Sequence, residues 1–217
     1  MKRYIIILLS VFLFTGCASS KITTWWKAPG NAVQTYHKIL VLGLIRNADR
    51  SLQQHMEDHM VGDLADVGYQ AISSLQEYGP KAFDKMDEAQ ALAKIKGSNV
   101  DAVITIVLLK KEKVRTYVHQ DIYYPPYSFY YNRFWTYRIE LSGRVYQDGY
   151  YVENTKYYWE SNLYDMKTQQ LVYSVQTQSF DPADTESLGH EYGKLIIMDM
   201  VTKGVLAGHK SGENNGR

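Results

Sequence analysis

The feature that most constrains the fold is a pair of short, unbroken apolar runs. After Lys38 the chain reads Ile39-Leu40-Val41-Leu42-Gly43-Leu44-Ile45, and Asp101 to Leu109 carries Val103, Ile104, Ile106, Val107 and Leu108. Runs of this length without polar alternation suit strands buried on both faces, which is the condition of a parallel sheet covered by helices. The chain between them supplies such helices. Leu52, Met56, Met60, Leu64 and Val67 recur at spacings of three and four, so one helical face is apolar. Asn47 or Asp49 stands where a cap is needed, and Gly68 fits the stop. Tyr69 to Leu75 reads as a second strand, Gly79-Pro80 as a break, and Asp87 to Lys96 as an Ala-rich helix ended by Gly97. Strand, helix, strand, helix, strand predicts a parallel β-α-β-α-β unit.

The periodicity then changes. Trp135, Tyr137, Ile139, Leu141 and Val145 alternate with polar residues, Asp148-Gly149 signals a hairpin turn, and Tyr157, Trp159 and Leu163 alternate again. Asp165 to Gln169 can turn the chain into a third strand with Leu171, Tyr173 and Val175. This predicts an antiparallel three-stranded meander. Asp181-Pro182 looks like a helix start, and Leu188, Tyr192, Leu195, Ile196, Val201 and Val205 mark a C-terminal amphipathic helix. The expected fold class is α/β (α+β) with one mixed sheet. A single domain is expected over residues 36–208, and the polar, Gly-rich stretch 209–217 is expected to be a disordered tail.

The amino terminus has the parts of a secretory signal over residues 1–16. Lys2 and Arg3 precede an apolar run from Ile5 to Phe14, then Thr15 and Gly16. That run is half the roughly twenty residues a membrane-spanning helix needs. The string Leu13-Phe14-Thr15-Gly16-Cys17 resembles a bacterial lipobox, with Phe14 where that motif usually has Leu. The resemblance implies diacylglycerol on the Cys17 thiol, cleavage before Cys17 and acylation of the new amino group. Cys17 is the chain's one cysteine, so it has no partner for an internal disulfide. Two or more acyl chains anchor stably where one binds marginally. Ala18 follows, and the absence of Asp there implies the outer membrane over the inner. Residues 17–35 are expected to be a lipid-anchored tether, reaching to about Lys21, and an extended arm with Trp25, Trp26 and a turn at Pro29-Gly30.

A wider resemblance covers most of the mature chain. Ile39 through Arg50, Glu57, Gly68 and Ser73, then Asp101-Ala102-Val103, Leu163-Tyr164-Asp165 and Leu171-Val172-Tyr173-Ser174, are similar to a widespread group of small bacterial lipoproteins of unassigned function. In layout that group resembles the amino-terminal domain of TolB and the curli secretion lipoprotein. It implies an envelope scaffold or partner-binding role, with no catalytic residues and no cofactor.

Charge excludes one class. The formal net charge is +1, and loss of Lys2 and Arg3 turns it to −1, too little for nucleic-acid binding. Lys110, Lys111 and Lys113 form a short cluster that reads as a solvated strand end. His55 and His59 lie four apart on the first helix, a spacing that can place two imidazoles on one metal. Met56 occupies the place of a zincin's Glu and no third ligand is evident, so water-facing histidines are the expectation and a metal-binding lipoprotein the alternative. No Gly-rich phosphate loop or G-x-S-x-G elbow occurs. Glu140, Glu153, Glu160 and Asp165 fall on the meander, where a pair could serve an envelope glycan hydrolase. Arg50 and Glu57, two helical turns apart, read as surface ion-pair formers.

The aromatic balance is unusual, with 19 Tyr in the chain. Tyr123, Tyr124, Tyr127, Tyr130 and Tyr131 crowd around Pro125-Pro126, and two prolines prevent a regular central strand. A loop cannot bury all its faces, so these rings are the candidate interaction surface, against the alternative of an aromatic lid on the sheet. The expected function is a membrane-anchored, non-catalytic cell-envelope lipoprotein that binds a protein or cell-wall partner.

Overall fold

The two apolar runs pair side by side, as their composition requires. In a computed structural model describing residues 19–30, 33, 35–81, 83, 85–118 and 150–208, β2 (Lys38–Leu44) lies parallel to both β3 (Gln70–Ser73) and β4 (Ala102–Val118). Side chains along β2 divide between two apolar clusters. Ile39 and Val41 join one face, Leu40 and Leu42 the other, so the strand is covered on both sides. Among the described residues the sheet has six strands, in the order β1 (Ser20–Lys27), β6 (Gln170–Phe180), β5 (Tyr150–Asp165), β4, β2, β3. The described residues fall into two compact units, one up to Lys111 and from Lys156 on, the other Glu112–Thr155.

Among the described residues, four α-helices complete the mixed α/β fold: α1 (Arg50–Asp66), α2 (Ser74–Tyr78), α3 (Glu88–Gly97) and α4 (Thr185–Thr202). Helices α1 and α4 cover one face over the larger cluster, in which Trp159, Leu163, Tyr173, Leu188 and Tyr192 are wholly buried. Helix α3 contributes Ile95 to the smaller cluster on the opposite face, with Leu40, Val100, Val103 and Met166. Asp87, expected as the first helical residue, instead caps α3. Its carboxylate accepts from the Gln90 amide at 2.8 Å, and the Gln90 side chain accepts from the Asp87 amide at 3.2 Å.

Several boundaries differ from the sequence reading. The second strand stops at Ser73, whose hydroxyl accepts from the Gln76 amide and starts the short α2 where continued strand was expected. β4 does not stop at Leu109 but continues to Val118, beyond its apolar stretch. α4 does not begin at Asp181-Pro182. Asp184 caps it, accepting from the Ser187 amide at 2.7 Å, while Asp181 has φ +45°. Val205 lies past the end of that helix: Gly204 turns the chain at φ +62°, and Val205 then packs into the core.

Two strands of the expected meander are present, β5 (Tyr150–Asp165) and β6 (Gln170–Phe180), paired antiparallel. The stretch from Trp135 through Gly149 lies outside the described residues. The other neighbour of β6 is the amino-terminal arm itself. β1 (Ser20–Lys27) runs antiparallel along it, with Ser20 opposite Ser179 and Lys27 opposite Tyr173. The register shifts between Ile22 and Thr24. Ile22 and Trp25 would point to opposite sides of a regular strand. With the bulge, Ile22 packs on the larger core and the Trp25 ring lies 4.2 Å from Lys203 Nζ, just past the end of α4. Lys27 Nζ closes that corner by donating to the carbonyls of Lys203 and Gly204 at 2.9 and 3.0 Å.

Candidate functional site

Cys17, Glu140 and the five tyrosines Tyr123, Tyr124, Tyr127, Tyr130 and Tyr131 lie outside the described residues. The remaining sequence candidates are scattered rather than gathered at one centre. His55 and His59 sit half-buried on α1 against α4 instead of facing water. The His59 ring meets the His190 ring edge-on at 5.7 Å. A β-carbon added at Gly189 would stand 2.8 Å from His59 Cδ2 and 3.0 Å from the His55 carbonyl oxygen. The two histidines are therefore part of a close helix crossing. Among the described residues, no group of three or more His, Cys, Asp or Glu could hold a metal ion.

Glu57 is the largest departure from the sequence reading. It is not a surface ion-pair former: it is fully buried. Its Oε1 accepts from the Gly43 amide at 2.8 Å, Gln53 Nε2 at 2.9 Å and Ser74 Oγ at 2.9 Å. Its Oε2 accepts from Ser73 Oγ at 2.6 Å and the Leu75 amide at 2.9 Å. One carboxylate thus joins α1 to β2 and to the β3–α2 junction, satisfying donors that burial would otherwise strand. Gly43 is what lets it approach, since a β-carbon there would lie 2.8 Å from Oε1 and 2.7 Å from Gln53 Cγ. This is a structural carboxylate with its acceptor capacity filled.

The carboxylates considered for hydrolysis are also engaged. Glu160 accepts from Asn162 Nδ2 and Gln176 Nε2, each at 3.0 Å. Asp165 Oδ1 holds the β5–β6 turn through the amides of Lys167 and Thr168 at 2.9 and 2.8 Å. Within the second unit Glu153 pairs with Arg115 at 2.6 Å, and that hydrogen bond and charge hold its pKa below the usual carboxylate range.

The described residues also line concave sites, two of which hold polar side chains of interest. One, of about 560 Å³, lies at the β5–β6 turn and the end of β1, with Trp26, Pro29, Asp165, Thr168, Gln170 and Val172 in its wall. Trp26 is 46% exposed, so its indole is free to stack on a planar or ring-shaped ligand. The other, of about 210 Å³, lies between α1 and α4 and includes Asp63, Asp66, His190 and Lys194. Asp63 Oδ2 is buried there with no hydrogen-bond partner. Burial pushes its pKa up to about 6; Asp66 adds to the shift, while His190 and Lys194 oppose it. This carboxyl exchanges its proton in mildly acidic conditions, and sequence periodicity gave no sign of it.

No family model and no curated protein matches the sequence. Solved structures share aspects of the layout at low similarity. A PelC dodecamer from Paraburkholderia phytofirmans matches at 10% identity and a TM-score of 0.44, over 86% of this chain and 98% of that one. Lipoprotein GNA1162 from Neisseria meningitidis matches at 11% identity and a TM-score of 0.40, over 76% of this chain and 99% of that one. No helix among the described residues is long and apolar enough to cross a membrane.

Proposed function

We propose that the chain is a bacterial envelope lipoprotein, held on a membrane by lipid on Cys17, whose α/β domain binds a protein or cell-wall partner and performs no catalysis. The observation that carries the reading is the amino terminus. A positive start, a short apolar run and Leu13-Phe14-Thr15-Gly16-Cys17 come just before β1 (Ser20–Lys27), which pairs with β6 in the sheet. Ala18 in place of Asp favours the outer membrane. The candidate binding surfaces are the Tyr123–Tyr131 stretch and the groove beside Trp26, which offer aromatic area with few torsions to freeze.

Two measurements on the full chain in a bacterial host test this. Mass analysis of the processed protein should find acyl groups on residue 17, lost in Cys17→Ser; an unmodified chain would refute the anchor. Crosslinking in intact envelopes should capture a partner with the wild type. The partner should be lost when Tyr123, Tyr124, Tyr127, Tyr130 and Tyr131 are replaced by Ser, or when Trp26 is. Partners unchanged in both variants would remove these surfaces from the account.

A further inference from the structure

The domain is fixed to the chain almost at the anchoring cysteine. Ser19 donates to Glu191 Oε2 from its amide at 3.1 Å and from its hydroxyl at 2.6 Å. Its carbonyl accepts from the Phe180 amide at 2.8 Å. One residue, Ala18, separates Ser19 from Cys17. Two Cα–Cα steps reach at most about 7 Å. That is about the depth of one headgroup layer, since the polar layers add roughly 10–15 Å to a hydrocarbon core of about 30 Å. If the thiol carries diacylglycerol, Ser19 is held at or close to that layer, and the side chains around it lie near the lipid headgroups.

Those side chains suit the place. Phe180 is 44% exposed, although large apolar rings are normally covered. Lys156 stands opposite it across the β5–β6 ladder and holds Nζ 5.5 Å from the ring centroid. Lys21, exposed, is the second residue of β1. An apolar ring flanked by long cationic side chains is amphipathic in the way the interface requires, with ring and methylene stems inward and ammonium groups at the phosphates.

We propose that the corner formed by Ser19, Lys21, Lys156 and Phe180 is a lipid-contact surface, with the Phe180 ring seated in the headgroup layer and the two lysines meeting lipid phosphates. The inference rests on the lipoprotein reading. Glu191 belongs to the same corner and Asp181 directly follows Phe180 in sequence, so its charge is mixed. Affinity comes from the acyl chains, and the corner sets which way the domain stands. Trp26 lies six residues farther along β1, which places it roughly 20 Å from this corner at the rise of an extended strand.

The test uses the full chain purified from envelopes and reconstituted into vesicles of phosphatidylethanolamine and phosphatidylglycerol. A photoreactive benzoylphenylalanine replaces Phe180, Trp26 or Met198 in turn, the last two being exposed controls. Illumination should give several-fold more phospholipid adduct from position 180 than from either control. Lys156→Glu should lower that yield in the position-180 protein. An acylated protein with no adduct at 180, or with equal adduct at all three, overturns the contact surface and leaves the anchor standing. A protein without acyl groups on Cys17 overturns both.

Discussion

Replacing Glu57 by Gln changes one atom, and the structure argues that it is costly. Each carboxylate oxygen faces one backbone amide, Oε1 the Gly43 N–H and Oε2 the Leu75 N–H. The hydroxyls of Ser73 and Ser74 can turn to accept instead of donate. Backbone N–H groups cannot. Whichever way the introduced side-chain amide is placed, its NH₂ opposes one buried N–H, which loses a bond to a charged acceptor and gains no substitute. A lost bond of that kind is worth about 1.5–3 kcal/mol, and a stranded donor costs about 1–3 kcal/mol, partly the same energy. The expected loss is about 2–4 kcal/mol. At a urea m-value of about 2 kcal/mol/M this lowers the midpoint by about 1–2 M. Glu57→Met strands both amides and should cost more. The assay is urea unfolding followed by tryptophan fluorescence, to which the buried Trp159 contributes. A Gln variant within about 0.5 kcal/mol of wild type, at unchanged m-value, would refute the argument.

Three further outcomes follow from the same packing. Asp63 is held near 6 from an ordinary 3.8, so its stability contribution is intact below the unfolded value and lost as pH rises through the folded one; Asp63→Asn should therefore gain most over wild type at about pH 7.5, its advantage shrinking toward about pH 4, as read by urea midpoints across pH. Gly189→Ala should destabilise by about 1–3 kcal/mol, because its β-carbon meets the fixed His55 backbone; Gly193→Ala should cost less, since its first obstacle is the movable Asp63 side chain, and equal losses would contradict this ordering. Lys27→Met removes two donors from the Lys203 and Gly204 carbonyls, and should speed amide hydrogen exchange along β1 while leaving β2 and β4 protected.

Much of the sheet's centre was legible because its strands obey simple patterns. Ile39 to Leu42 is covered on both faces and parallel to its neighbours, although Leu44 is exposed, and the Leu52–Leu64 stripe packs as its spacing requires. β1 was harder to read. Its bulge puts Ile22 and Trp25 on one side and so erases the alternation that marks a strand. Glu57 was misread for another reason: its burial depends on donors from β2, α1 and the β3–α2 junction, which no local window contains. Gly189 and Gly193, four apart, were visible in the sequence, but the helix they admit lies some 130 residues upstream. The Asp63 cleft arises only from that crossing.

The pairing of β1 with β6 also orders events in time. The Ser20–Ser179 contact joins residues 159 apart in sequence. During synthesis from the amino terminus, residues 20–27 are made long before the strand they pair with. Until β6 arrives, Trp25, Trp26 and an unpaired backbone stand open to water and to other chains. Closing so long a loop is slow next to the local helices and the β5–β6 hairpin. The strand at this edge of the sheet is thus among the first segments made and among the last to be folded.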